Sequence, residues 1–149
     1  MIHRGDMLTW LQALPDGSPR PHQGWDLVAE PGTPCYAVAD GVIETVNGLP
    51  TDTRGYGLTV ILRLAQPAGE VTHVAYCHLS RADVKPGQAV TEGAQIGLTG
   101  NSGNAVGMRG EDQHLHIEAR TRQPVSLGLD GRVSPLRLFG RVPWQEIRA

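Results

Sequence analysis

The chain has 149 residues, a net charge of −2 and no basic block, since Arg in scattered positions supplies nearly all of the positive charge. This length is enough for one domain with a real core. The charge excludes binding to nucleic acid or to a membrane surface by bulk electrostatics, and no apolar stretch approaches the length of a membrane span. Nineteen Gly and eleven Pro indicate many turns and short elements, which favours a β-rich fold.

Residues 1–21 are predicted to be irregular, because Pro and Asp-Gly interrupt any helix. The predicted strands that follow are 22–30, a hairpin of 35–40 with 42–46, 56–64, 71–80, two short apolar pieces at 89–90 and 95–100, and 113–120. The tail is expected to carry a helical turn or to cover the sheet. The sequence therefore predicts an all-β, mainly antiparallel fold with few or no helices, in a single domain over residues 1–149.

The last predicted strand, QHLHIEAR, carries two histidines. Side chains two apart on a strand share a face, so His114 and His116 point one way and the apolar Leu115 and Ile117 point the other. Two neutral imidazoles side by side suit a divalent metal, a metal-polarised substrate or a phosphate. The alternative is a pair of exposed histidines on a solvent face.

His22 and Asp26 are the next candidates for a metal site. On a strand, positions 22, 24 and 26 face the same way, and Gly24 places no side chain between the imidazole and the carboxylate. Both groups are therefore predicted to converge on one ion, against the alternative of a capping Asp and a surface His. Catalytic zinc commonly takes three protein ligands and keeps one open position. His22, Asp26 and one member of the His-x-His pair make such a set, and the absence of an HExxH motif excludes a thermolysin-like site.

The strand VTHVAYCHLS offers His73 and His78, which are five apart and so face opposite ways in a regular strand. His78 precedes a loop, where catalytic groups usually lie, and His73 is interpreted as a surface or structural histidine. Histidines beside a metal can accept a proton or hydrogen-bond a developing oxyanion, so the set fits hydrolysis better than a structural zinc.

Taken together, these motifs resemble the lysostaphin/LytM-type zinc endopeptidases, which cut peptidoglycan peptides. The resemblance covers roughly residues 20–120 and rests on the His-x3-Asp, Tyr-x-His-Leu and His-x-His motifs, which occur in the family's order. It implies a β-sandwich related to the biotinyl/lipoyl hairpin fold. It also implies one zinc ion bound by His22, Asp26 and His116, with His78 and His114 as the catalytic histidines beside it.

The chain departs from the family pattern in a longer loop, 104–113, which places Arg109, Glu111 and Asp112 near the expected site and leaves substrate preference open. The main alternative function is a non-hydrolytic relative that binds or activates cell-wall amidases. A lipoyl or phosphate carrier is a further alternative, suggested by the hairpin-like VKPGQAVTEGAQIG. Within the enzyme class, an elastin-like or Gly-rich protein is a different possible substrate.

The expected place of action is the periplasm or the cell wall. The N-terminus lacks the layout of a secretory signal, which leaves three alternatives: a signal that has been removed, export by another route, or a protein that stays inside. Delivery by a secretion system or by a phage, with a delivery or immunity protein as partner, belongs to the second. Cys35 and Cys77 are interpreted as small buried residues. Whether they pair is left open by the sequence.

Overall fold

The computed structural model describes residues 11–13, 19–126 and 128–139, with side chains from residue 22 onward. Residues 1–10 and 14–18, which belong to the segment predicted to be irregular, lie outside the described residues, as does the end of the tail at 140–149. Within 1–21, however, two short strands pair with each other, β1 at Leu11–Ala13 and β2 at Pro19–Pro21. The prediction of an irregular segment is therefore wrong for these residues.

The rest of the described chain is dominated by strands. They are β3 Trp25–Val28, β4 Pro34–Tyr36, β5 Gly41–Asn47, β6 Leu58–Ala68, β7 Val71–Ala82, β8 Ala89–Val90, β9 Gln95–Thr99, β10 His114–Arg120 and β11 Arg132–Val133. Helical structure in the described residues is confined to α1, Leu136–Phe139, and to two 3-10 turns, Gly103–Ala105 and Gly110–Asp112. The prediction of an all-β fold is confirmed, and α1 supplies the helical turn expected in the tail. None of the helices in these described stretches has the length and apolar character needed to cross a membrane.

One nine-stranded antiparallel sheet organises the domain, with the central order β11-β10-β7-β6-β5-β8. β6 and β7 form its longest hairpin, because both contain residues that favour strands, namely Val, Thr and Ile in β6 and Val, Thr and Tyr in β7. Gly69 adopts a left-handed backbone (φ 60°) at the tight turn between them. β3 and β11 lie one after the other along the same edge of β10: β3 pairs with His114–Ile117 and β11 with Ala119 and Arg120.

The predicted hairpin of 35–40 with 42–46 is wrong. β4 pairs with β9, where Cys35 lies opposite Gly97, and β5 pairs instead with β6 and β8. The Asp40-Gly41 turn therefore passes the chain from one part of the sheet to another. A local turn motif could not reveal this, because the partner of β4 lies about sixty residues further along the chain.

The core is built from side chains of nearly every strand. Its fully buried members, all with relative exposure of 0%, include Trp25, Ile43, Val60, Leu62, Val74, Leu79 and Ile96. Residues of β4, β8 and β9 pack in the same cluster as residues of β6, β7 and β10, so the sheet folds over on itself. The opposite face of β6 and β7 carries a small second cluster of Ile61, Ala75 and Cys77, with Tyr56 packed against it.

Candidate metal centre

The centre is built on β10, which is paired on both edges. His116 lies opposite Asp26 of β3 on one side and opposite Cys77 of β7 on the other. Residues directly opposite each other in an antiparallel pair point to the same face. Asp26 and His116 therefore meet although they are ninety residues apart in the chain.

Three buried side chains converge at this point. The Oδ1 atom of Asp26 lies 3.0 Å from His22 Nε2 and 2.8 Å from His116 Nδ1. One ligand atom from each residue lies within 4.8 Å of those of the other two. Ligands at about 2.0–2.2 Å from one tetrahedral zinc ion are roughly 3.4 Å apart, so small adjustments would let these three atoms share a metal ion.

His22 reaches this position from outside the strand. The predicted strand 22–30 begins only at Trp25, so alternation does not explain why His22 and Asp26 meet. Gly24 also has a different role from the predicted one. A Cβ atom at this position would lie 2.2 Å from the carbonyl oxygen of Ile117 and 3.1 Å from Glu118 Cγ. Gly24 therefore allows the segment before β3 to pack directly against the backbone of β10.

His116 lies between two carboxylates. Its Nε2 atom is 3.0 Å from Glu118 Oε1, while its Nδ1 atom faces Asp26. Burial alone would lower the pKa of His116, but the hydrogen bonds to Asp26 and Glu118 and their charges raise it to about 9. Burial likewise favours the neutral form of Asp26, and the hydrogen bonds from His116 and His22 outweigh it and hold the pKa of Asp26 well below its usual range.

This arrangement fits a metal ion for a reason beyond the ligand set. A metal ion would take the place of the Nδ1 proton of His116: with Nε2–H donating to Glu118, the deprotonated Nδ1 would direct its lone pair toward Asp26 and His22. A carboxylate that accepts from the far nitrogen of a ligating histidine fixes its tautomer and raises its basicity. Two imidazoles and a carboxylate form a donor set typical of zinc.

His78 reaches the same region through an unusual backbone. In a regular β7 it would point into the core with Val74 and Tyr76, but its φ of 62° lies in the left-handed region that non-glycine residues rarely adopt. Its Nδ1 atom lies 2.8 Å from the carbonyl oxygen of Ser102. Because a carbonyl only accepts, Nδ1 carries the proton and Nε2 keeps its lone pair. Burial first, and then the charges of His116 and His114, lower the pKa of His78 to about 4, so this ring is neutral at pH 7.

His114 completes the group of imidazoles. Its Nδ1 atom lies 2.7 Å from the carbonyl oxygen of Asp112, which fixes the same tautomer, and its Nε2 atom is 3.5 Å from Asp26 Oδ1. The rings of His78 and His114 meet edge to face with centroids 5.2 Å apart. The two histidines therefore lie beside the three clustered residues, each with its Nδ1 atom held by a backbone carbonyl.

His73 is buried and takes no part in this cluster. Its Nδ1 atom is 2.8 Å from Thr72 Oγ1 and its Nε2 atom is 3.0 Å from Glu44 Oε2, which matches the interpretation as a structural histidine. Strand alternation, which predicts that His73 and His78 face opposite ways, does not explain why His73 lies away from the centre, however. His73 lies opposite Arg120 and so on the same face of the sheet as His116. Distance along β7, rather than the choice of face, separates it from the centre.

Sequence reasoning missed the residues that surround the cluster. They are Gln23, Tyr56, Ser102, Glu118, Arg120 and Arg132. Two of them had a usable signal, because the alternation that pairs His114 with His116 continues to Glu118 and Arg120. The others come from loops and from β11, whose approach to β10 no local pattern indicates.

The remaining expectations concern the cysteines and the loop at 104–113. Cys35 and Cys77 are both buried and are free thiols, which answers the question that the sequence left open. In the loop, Arg109, Glu111 and Asp112 are exposed. The loop borders the centre where the Asp112 backbone meets His114.

The fold and the centre together define a small all-β domain with a buried cluster of histidines and an aspartate that could hold a metal ion. The chain belongs to peptidase family M23, whose model matches residues 20–127. The resemblance seen in the sequence is thus confirmed.

Known relatives agree with this assignment. The chain is 36% identical over 107 residues to the peptidoglycan DD-endopeptidase ShyA of Vibrio cholerae, which covers 71% of this chain and 22% of that protein. It is 40% identical over 108 residues to the DD-carboxypeptidase/endopeptidase Mpg of Neisseria meningitidis, and the match covers 72% of this chain and 22% of that protein. The chain thus spans between a fifth and a quarter of the length of these curated relatives.

Solved structures show the same fold. The catalytic domain of lysostaphin from Staphylococcus simulans superposes with a TM-score of 0.72 at 24% identity, covering 94% of this chain and 92% of that one. A zinc-containing peptidase from Vibrio cholerae gives a TM-score of 0.59 at 29% identity, and the match covers 80% of this chain and 35% of that one. At 24% identity, the likeness to the lysostaphin domain shows the fold alone.

Proposed function

We propose that residues 1–149 act as a single catalytic domain, a zinc-dependent endopeptidase that hydrolyses peptide cross-links or stem peptides of bacterial peptidoglycan. The observation that carries this proposal is the convergence of His22, Asp26 and His116 within 4.8 Å, with two further histidines beside them, in a chain of peptidase family M23. The names of the relatives, peptidoglycan DD-endopeptidase and DD-carboxypeptidase/endopeptidase, support the substrate.

In this proposal, His22, Asp26 and His116 hold one zinc ion. When bound, zinc lowers the pKa of a water molecule toward neutrality and polarises a substrate carbonyl. His78 and His114 present Nε2 lone pairs at the edge of the cluster. One of them accepts the proton of the attacking water at Nε2. The other, once it is protonated at Nε2, donates a hydrogen bond to the oxyanion that develops on the scissile carbonyl. Their backbone hydrogen bonds fix the tautomers before substrate arrives, so the rings need no reorientation during the reaction.

The alternative of a non-hydrolytic binding or activator module is less well supported. Such a module needs neither a zinc site nor oriented histidines, whereas this chain keeps the three clustered residues buried and holds the tautomers of His78 and His114. We place the enzyme's action in the periplasm or the cell wall, as the names of the relatives suggest. A secretion system or a phage is the proposed delivery route, with a delivery or immunity protein as partner.

The test is digestion of purified cross-linked peptidoglycan followed by mass spectrometry of the fragments. The digestion is run with the protein as purified, with a chelator, and after zinc is restored. Dimeric muropeptides should fall to monomers only when zinc is present, and the masses then identify the bond. Intact dimers after treatment with folded, zinc-loaded protein would contradict the enzymatic function and favour the binding module.

Three histidine variants test the roles within the same assay. His22→Ala should lose zinc and activity together. His78→Ala should keep zinc and lose turnover by roughly 10²–10⁴-fold, the usual contribution of a general acid or base. His73→Ala is the matched control on the same strand and should keep both zinc and turnover. Loss of zinc in the His78 variant would show that its assigned role is wrong.

A further inference from the structure

A buried carboxylate lies directly behind His116. Glu118 has no exposed surface, and its Oε1 atom accepts hydrogen bonds from His116 Nε2 at 3.0 Å and from the hydroxyl of Tyr56. Its Oε2 atom accepts from Arg120 Nε and from Arg132 Nε, each at 2.8 Å. Every direction from which this carboxylate can accept is therefore used, and only one of its four donors is the histidine.

The contacts of Arg132 extend to the other side of the cluster. Its guanidinium donates to the carbonyl oxygen of Gly128 at 2.7 Å, and the Gly128 N–H donates to Gln23 Oε1 at 2.6 Å. Gln23 Nε2 in turn donates to the Tyr56 hydroxyl at 2.9 Å, which donates to Glu118. These five residues form a closed ring of hydrogen bonds, and Gln23 directly follows His22 in the chain. We refer to this set (Gln23, Tyr56, Glu118, Gly128 and Arg132) as the supporting ring.

The charges of the supporting ring are costly to bury unless they are fully paired. The Arg132 side chain is 2% exposed and that of Glu118 is 0% exposed, and removing one partner of such a pair leaves the other unsatisfied. A fully satisfied polar network of this kind fixes the orientation of its members. The atom whose orientation matters here is His116 Nε2, because it determines where Nδ1 points.

The ring depends on a segment outside the region that matches the family model. That match ends at residue 127, whereas Gly128 and Arg132 follow it. Arg132 belongs to β11 and lies opposite Arg120 on β10, so both arginines lie on the face that carries His116 and Glu118. The short β10–β11 pairing thus brings a guanidinium to a site assembled by earlier parts of the chain.

We propose that residues 128–132 support the metal centre. Arg132 is a positioning residue that holds Glu118 in place, and Glu118 holds His116 in the orientation that ligates zinc. This inference rests on the zinc site of the proposed function. Arg132 acts through Glu118 rather than as a ligand, so its effect is on metal affinity and, through it, on activity. Replacing outer-shell partners of metal-ligating histidines typically weakens metal affinity or activity by about 10–100-fold.

The experiment compares Arg132 of β11 with Arg122 of the connection between β10 and β11. Arg132→Met removes the buried guanidinium, whereas Arg122→Met removes an exposed one that pairs with the exposed Asp130. The zinc dissociation constant of each variant is measured by competition with a chromophoric chelator, at a temperature where circular dichroism shows the protein to be folded. Arg132→Met should bind zinc about 10–100-fold more weakly than wild type, and Arg122→Met should match wild type.

A purely structural role would lower thermal stability and leave the zinc affinity of the folded protein unchanged, and that result would overturn the inference. The absorption spectrum of the cobalt(II)-substituted protein gives a second readout, since a reoriented imidazole changes the ligand field. If Arg132→Met does not fold, Gln23→Met opens the supporting ring while leaving the buried charges paired. It should weaken zinc binding in the same direction, and an unchanged dissociation constant would again overturn the inference.

The wild-type protein separates this inference from the function on which it rests. If wild type binds no zinc, the proposed function itself fails. If wild type binds zinc and cleaves peptidoglycan while Arg132→Met binds zinc equally well, only the positioning role of Arg132 fails.

Discussion

Gly24 offers a direct test of how the centre is held, because it lies between two proposed ligands and against the strand that carries the third. In Gly24→Ala the new methyl group would lie 2.2 Å from the Ile117 carbonyl oxygen, whereas ordinary contact begins at 3.4 Å. The segment from His22 to Asp26 must therefore move away from β10 by 1.2 Å, the difference between these two distances. The same methyl group would also press on Glu118 Cγ at 3.1 Å.

A shift of this size is large for a metal site. Metal–ligand distances tolerate about ±0.2 Å, and a misplacement of about 1 Å can lower turnover by roughly 10²-fold. We expect Gly24→Ala to bind zinc more weakly and to lose turnover by about that factor. Overpacking should lower the free energy of unfolding by about 1–3 kcal/mol.

Gly41→Ala is the matched control, because its methyl group would also lie 2.2 Å from a backbone carbonyl oxygen, that of Arg63, on β6. It should lose similar stability and keep its zinc affinity. Zinc affinity is measured by chelator competition, stability by urea unfolding and turnover by release of muropeptides. The reasoning is refuted if folded Gly24→Ala binds zinc and turns over like wild type, or if Gly41→Ala loses as much zinc affinity.

Three further predictions concern the metal, a supporting serine and the thiols. Chelation should lower the melting temperature: zinc at 100 times its dissociation constant stabilises by about 2.7 kcal/mol, or about 5–10 °C for a domain of this size, and calorimetry showing no shift would contradict the site. Ser102→Ala removes a hydroxyl that bonds Leu58 N–H and the Leu79 carbonyl at 3.0 and 2.7 Å; it should cost about 1–3 kcal/mol and, since the Ser102 carbonyl orients His78, reduce turnover with zinc retained. Burial, together with Asp83, raises the pKa of Cys35 to about 12, and burial, together with Glu118, raises that of Cys77 well above its usual value, so Ellman's reagent should label neither thiol at pH 8 until the protein is unfolded.

The fold class was predictable because it depends on composition and on local alternation. The strands around residues 58–68, 71–82 and 114–120 follow from runs of apolar residues bounded by turns. The hairpin predicted at 35–46 failed because strand pairing depends on contacts distant in the chain, and no turn motif encodes the pairing of Cys35 with Gly97.

The sequence indicated which side chains would lie together, but not the geometry by which they do so. The spacing of His114 and His116 indicated a shared face, and the resemblance supplied the choice of His116. The way in which His78 reaches the centre could not be predicted, because a left-handed φ at a histidine leaves no signature in the sequence. Arg132 could not be predicted either, since its role depends on how β11 pairs with β10.

The sheet and the loops hold different side chains of the centre in place. Asp26 and His116 are cross-strand partners on strands whose backbone is held by the sheet, and functional groups on such rigid elements are placed more accurately than groups on loops. The tautomers of His78 and His114 are held instead by backbone carbonyls of the adjoining loops. Changes in these loops should therefore reduce turnover before they weaken zinc binding, whereas changes in the pairing of β3 or β11 with β10 should weaken zinc binding first. Variants of the two kinds, compared by zinc affinity and by turnover in the same preparation, would separate these contributions.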